Sequence, residues 1–254
     1  MHLNPGQELL LWLVTFLFSI VGGITGIGIA TIIIPIFLLL GSPLPFAKAV
    51  ALWINVWIML LSVYKRWNQI RWNLAIPLVI TSFISAPLGA KISFFIPEKI
   101  QLFLLATVVI LSSLFILFLK PKPLFEGTTK SAFIRIGLLL GTFAGFLGGM
   151  LGIGGGILVN PTLIILGFDP LMVTSVSAVM VLFSSFSGWL TYTLVGYFSL
   201  ISSIPFAIAA VGGSYIGNHL AVKIPREITR KIVAFFALAV GIITYIKAFT
   251  MTSF

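Results

Sequence analysis

GGMLGIGGGILVNPTLIILG, residues 148–167, lies within 33 consecutive uncharged residues, Ile136 to Phe168. As one straight helix that run would be about 50 Å long at 1.5 Å per residue. The hydrocarbon core of a bilayer is only about 30 Å thick. The run therefore breaks, and its glycines mark the place, because glycine weakens a helix and permits tight turns. A second uncharged run of the same length, Leu9 to Gly41, carries GGITGIGIATIIIPIFLLLG at residues 22–41. Gly22, Gly23, Gly26, Gly28, Pro35 and Gly41 align with Gly148, Gly149, Gly152, Gly154, Pro161 and Gly167 at a constant offset of 126. Pro77, Gly89, Pro97 and Ile100 match Pro205, Gly217, Pro225 and Ile228 at offset 128, after a two-residue insertion. The chain thus reads as two copies of one four-segment unit.

Composition agrees with lipid as the solvent. The 254 residues are 59% hydrophobic and 8% charged, against roughly 25% charged in soluble domains. Mean hydropathy is +1.20. The net charge of +10 would suggest nucleic acid in a soluble chain. Here the basic residues cluster in short stretches between apolar runs, beside Tyr64, Trp67 and Trp72, as topology signals and interfacial aromatics do. The absence of cysteine rules out disulfides, thiolate metal sites and cysteine nucleophiles. The first residues lack a basic n-region, and the apolar run that follows is longer than a signal-peptide core.

Charge placement tests the break. If each 33-residue run crossed once, the basic residues would split 7 against 8 between the two sides. If each run goes in and comes back, Lys65, Arg66, Arg71, Lys120, Lys122, Lys130, Arg135, Lys223, Arg226, Arg230 and Lys231 share one side. Only Lys48, Lys91, Lys99 and Lys247 face the other, a split of 11 against 4. The positive-inside rule favours the second arrangement, whether the return is a re-entrant hairpin or two short spans. The expected fold is an all-α polytopic membrane protein of the cell membrane with both termini outside the cytoplasm. Residues 1–119 form the first repeat, 120–135 a basic cytoplasmic linker and 136–254 the second repeat. Each repeat then crosses an odd net number of times, so the two are inverted. Inverted repeats with Gly/Pro-interrupted segments at equivalent positions point to a secondary transporter with its site where the broken segments meet.

The paired motif resembles the sulfite exporter TauE/SafE family of membrane permeases, whose hallmark is a glycine-rich G-x-G-G-G stretch followed by proline in each half. Gly152-Ile-Gly-Gly-Gly-Ile-Leu-Val-Asn-Pro161 fits it. Gly26-Ile-Gly-Ile-Ala-Thr-Ile-Ile-Ile-Pro35 keeps two glycines and the proline but has Ile29 and Ala30 where the family often has glycine. The resemblance covers nearly the whole chain. It implies transport of small sulfur-containing or organic anions such as sulfite, sulfonates or sulfoacetate.

The residues beside the breaks suit that chemistry. A helix N-terminus exposes unpaired N–H groups with partial positive charge. Gly26, Gly28, Gly152, Gly154, Gly155 and Gly156 let backbone approach an anion; the competing reading is small-xxx-small helix packing. Thr31, Asn55 (near Trp53), Asn160, Ser175 and Ser177 are polar groups in apolar segments, which are expensive unless paired or lining a cavity. For the hydroxyls, bonding to their own helix backbone is the alternative. Pro35 and Pro161 are candidate hinges. Lys48 can attract the anion or snorkel to the interface, and His219 reads as interfacial. Glu8, Glu98, Glu126, Asp169 and Glu227 all fall at segment ends or in loops, so no carboxylate relay runs through the membrane. No Walker A, H-E-x-x-H or G-x-S-x-G motif occurs. The expected partners are a small anion and the bilayer, without nucleic acid, metal or cofactor. The chain reads as a non-enzyme, with a passive anion channel as the alternative to a transporter.

Overall fold

The computed structural model describes residues 5–25, 28–118, 130–198, 200–220 and 226–250. Most of the basic linker, and Gly26, lie outside the described residues. Ten α-helices run in order among them: α1 (Pro5–Thr25), α2 (Ala30–Leu39), α3 (Leu44–Arg66), α4 (Trp72–Ser93), α5 (Glu98–Phe118), α6 (Lys130–Leu151), α7 (Gly156–Ile165), α8 (Pro170–Leu194), α9 (Leu200–Leu220) and α10 (Arg226–Thr250). No strand occurs among the described residues. Six helices are long and apolar enough to cross a membrane, within α1, α3, α4, α5, α6 and α8. The chain is an all-α multi-pass membrane protein, and both 33-residue runs are broken where the glycines stand.

The second break is a return. The α7 helix has 10 residues, about 15 Å at 1.5 Å per residue, half of a hydrocarbon core. A Cβ on Gly155 would press on the carbonyl of Ala144, and one on Gly148 would meet the backbone of Gly154 and Gly155. Farther along, the Phe168 ring lies 5.5 Å from that of Phe133, near the start of α6. The α7 helix therefore runs back beside α6, the arrangement that the positive-inside count favoured.

Backbone chemistry fixes the ends of the two short helices. Gly41 and Gly167 both have φ +84°. Ser42 N–H donates to Phe37 O and Phe168 N–H to Leu163 O, at 2.9 and 3.1 Å. This is the Schellman arrangement, with glycine at the left-handed C′ position. Pro43 and Asp169 then stand at the N-caps of α3 and α8, and Asp169 Oδ2 accepts from Met172 N–H at 2.9 Å. Pro35 and Pro161 lie inside α2 and α7 rather than at their ends. Proline lacks the N–H that would bond the carbonyl four residues back. For Pro161 that carbonyl is Ile157 O, and Ser112 of α5 donates to it at 3.2 Å.

Several packed helix pairs are equivalent under the offsets of the sequence match. The pairs α4–α6 and α9–α1 correspond, as do α4–α8 with α9–α3, α5–α7 with α10–α2, and α7–α8 with α2–α3; α5–α10 and α3–α8 map onto themselves. The same correspondence holds at single atoms. A Cβ on Gly89 would strike Phe146 O and one on Gly217 would strike Ile20 O; likewise Gly149 faces Ala86 O and Gly23 faces Ser214 O. In each case the equivalent residues are offset by 126 or 128. On α6 the small-residue ridge is Gly137, Gly141, Gly145 and Gly149, which faces Leu74/Pro77, Leu78/Thr81, Ser82/Ser85 and Ala86 of α4 in turn. Residues four apart share a helix face and let two backbones approach closely.

Leu-, Ile- and Phe-rich faces remain exposed along α1, α4 and α5, as lipid-facing helices require, while α3 and α8 are mostly buried. Tyr64, Trp67 and Trp72 are exposed at the α3–α4 turn, the two indoles edge-to-face at 5.0 Å.

Candidate anion site

The two most buried long helices cross each other, and the breaks converge on their middles. Asn55 is the midpoint of α3 and is fully buried. A Cβ placed on Gly28 would stand 3.0 Å from both Asn55 Nδ2 and Oδ1. One placed on Gly154 would stand 3.2 Å from Asn55 Nδ2 and 3.1 Å from Val181 Cγ1, and closer still to Ser185 Oγ. The Asn55 amide is thus wedged between the breaks of the two halves. Its one bond to the fold is weak, Nδ2 donating to Ile153 O at 3.4 Å, and Oδ1 has no partner. Buried polar groups are ordinarily satisfied, so an amide left this free is available to a ligand. Ser185 Oγ, also buried, lacks a partner as well, whereas Ser184 donates to Gly154 O at 2.9 Å.

The glycines of the second break are conformational requirements. Gly152, Gly154 and Gly155 have φ +78°, +71° and +78°, the left-handed region that L side chains rarely enter. Gly156 is helical, and its Cβ would meet Val181 Cγ2 at 2.6 Å. The first break is built differently. Gly28 does not take a positive φ, and Ile29 at the N-cap of α2 has φ −94°. That accounts for Ile29 and Ala30 standing where the second half has glycines. Both short helices still begin alike: Ile29 O accepts from Ile32 and Ile33 N–H, and Gly155 O from Leu158 and Val159 N–H. Neither helix has a side-chain cap on its first-turn N–H groups.

The other expected residues scatter around this centre. Thr31 is buried in the first turn of α2, and Asn160 is buried in α7 with Oδ1 unpartnered. Ser175 points instead toward the α3–α4 turn, donating to Gln69 Oε1 at 3.4 Å; Ser177 is buried. The hydroxyls that reach the second break are Ser184 and Ser185, two turns farther along α8. Sequence reasoning passed over them, although the adjacent pair at the centre of an uncharged segment was the available signal. Trp53 faces away from Asn55, stacking on Trp189 at 4.3 Å and donating to Ser203 O at 2.9 Å. Residues two apart on a helix lie on opposite sides. His219 is exposed beside Tyr215.

Lys48 does not snorkel. It is 2% exposed, its stem packs on Gly152, and its ammonium donates to Met150 O at 2.7 Å and to Gln101 Oε1. A cation there complements the C-terminal end of α6. The described carboxylates sit at helix starts, Glu8 in α1 and Glu98 in α5, with Asp169 at a cap.

A polytopic helical bundle whose two halves each send a broken segment to one buried polar centre has the makings of a membrane transporter. The chain belongs to the sulfite exporter TauE/SafE family, whose model matches residues 11–244. It is 25% identical over 230 residues to the probable membrane transporter protein YdhB of Bacillus subtilis, covering 87% of this chain and 94% of that one. It is 26% identical over 236 residues to a probable membrane transporter protein of Methanocaldococcus jannaschii, covering 87% and 88%. Over 116 residues it is 33% identical to sulfite exporter TauE/SafE family protein 2 of Arabidopsis thaliana. That match covers 46% of this chain and only a quarter of the plant protein. No solved structure matches the chain.

Proposed function

We propose that this chain is a secondary transporter of small sulfur oxyanions or related organic anions, with its central site between the two helix breaks. The observation that carries the reading is the free Asn55 amide, against which both Gly28 and Gly154 are set. It offers a free acceptor and a spare N–H, Ser185 offers a hydroxyl, and the uncapped start of α7 offers backbone N–H groups. A pyramidal, protonatable oxyanion such as hydrogensulfite can use donors and acceptors together. The two halves are inverted, both termini lie outside the cytoplasm of a cell-membrane protein, and rocking of one half against the other alternates access to the centre.

Counterflow in proteoliposomes separates this from a passive channel. With unlabelled sulfite inside, labelled sulfite outside should accumulate transiently, and its entry should saturate with concentration. Flux that rises linearly and shows no trans-stimulation would make the protein a channel.

A further inference from the structure

A second polar centre lies two helical turns from Asn55 along α3, about 10 Å away. A cavity of about 180 Å³ is lined by Lys48, Ser93, Gln101 and Tyr192, by the apolar groups Leu44, Pro45, Phe94 and Ile96, and by Glu98 and Tyr197. Glu98 and Tyr197 are exposed, so they form the rim; Lys48 is the buried end. Its stem rests on Gly152, so the lysine stands between the cavity and the second helix break.

The wall groups are nearly all committed to one another. Gln101 Nε2 donates to Ser93 O and to Ile96 O, both at 2.6 Å, which aims Oε1 at the lysine. Ser93 donates to Ala90 O at 2.7 Å, and Tyr192 donates to Gly149 O at 3.1 Å with its oxygen 2.9 Å from Ser93 Oγ. An ammonium has three N–H donors, and Lys48 spends two, on Met150 O and Gln101 Oε1. Both of those partners are neutral. No carboxylate bonds the ammonium directly, and the one charge near it among the described residues is Glu98 at the rim; a buried cation bonded only to neutral groups inside a membrane segment is a functional-site candidate by default. The opposite wall is flat and apolar: the Phe94 ring stacks on Tyr197 at 5.4 Å and meets Tyr192 edge-on at 5.4 Å.

We infer that this cavity is a separate binding site for a small organic monoanion, its charged head on the Lys48 ammonium and its short tail against Phe94, Leu44 and Ile96. One free donor suits a single carboxylate or sulfonate head. A bare dianion such as sulfate needs several donors, and the Glu98 carboxylate at the rim repels a dianion more strongly than a monoanion. Through Gly152 the lysine also touches the α6–α7 break that borders the central site. Occupancy of the cavity does not depend on that central site.

The test is calorimetric titration of the purified full chain with propanesulfonate and propionate, with sulfate for comparison. Both monoanions should bind saturably, their ratio reporting the preferred head group, and sulfate should bind about tenfold more weakly or less. Lys48→Met keeps the stem on Gly152 and removes the charge; it should weaken propanesulfonate about tenfold or more. Ile96→Trp fills the cavity from its rim without touching the ammonium, and should do the same even if Lys48→Met fails to fold. Gly6→Val, where nothing lies within 4 Å of an added Cβ and neither site is near, should leave propanesulfonate binding unchanged. The proposal is overturned if wild type does not bind propanesulfonate, or if Ile96→Trp binds it as wild type does. Loss of that binding in Asn55→Leu but not in Ile96→Trp also overturns it, while leaving the central site standing.

Discussion

Gly154→Val should cut transport by about two orders of magnitude while leaving the protein folded. At φ +71° a side chain costs about 1–2 kcal/mol of backbone strain, and β-branching raises that. The new methyls would enter the space between Asn55, Val181 and Ser185, the volume assigned to the anion. Those neighbours are side chains, which can give way, so the bundle survives; the anion cannot share the space. Strain and lost contacts together should lower the initial rate by about 100-fold, at 1.4 kcal/mol per factor of ten. Uptake by proteoliposomes, normalised to monodisperse protein, checks this, with Gly6→Val as a control because nothing lies within 4 Å of a Cβ there. Wild-type uptake by Gly154→Val would remove the break from the site.

Gly149→Val and Gly23→Val should instead destabilise the fold, and by similar amounts. Each Cβ would be driven into a backbone carbonyl, that of Ala86 in one half and Ser214 in the other. A carbonyl inside a helix cannot swing aside, so α6 must part from α4 and α1 from α9. Overpacking costs typically 1–3 kcal/mol, and a backbone clash belongs at the upper end, about 3 kcal/mol for each. Thermal unfolding in detergent should show both variants well below wild type. Gly212→Ala should be near neutral, since its closest neighbour is Phe16 Cε2 at 3.4 Å. A Gly149→Val protein that unfolds with wild type would mean that this contact does not hold the helices together.

Much of the fold was legible because lipid imposes a simple rule. Runs of 33 uncharged residues are too long for straight single spans, so each had to break within its glycine cluster, and each does, between α1 and α2 and between α6 and α7. The return of α7 along α6 followed from counting lysines and arginines. The distinction between kinds of glycine was not legible. Gly152, Gly154 and Gly155 are needed for left-handed backbone, whereas Gly137, Gly141, Gly145 and Gly149 are needed for helix contact, and in sequence both are merely glycines in apolar runs. Asn55 stood out as an amide in an uncharged segment. Ser184 and Ser185 did not, because serine in a membrane helix usually bonds its own backbone, as Ser187 and Ser113 do here. Sequence left Lys48 open between anion attraction and snorkelling for a related reason. Its position one turn into α3 suits snorkelling, and its burial depends on Gly152, Met150 and Gln101, which are distant in the chain.

The most direct test of the central claim is calorimetric binding of sulfite to the purified wild-type protein and to Asn55→Leu. Leucine is close in volume, and Asn55 contributes only the 3.4 Å bond to the fold. Stability should therefore be unchanged or slightly raised, as when a poorly paired buried polar group becomes apolar. The account predicts saturable binding by wild type and affinity about tenfold or more weaker in the variant. Equal sulfite affinity in the two proteins would contradict it and take the anion away from the meeting point of the breaks.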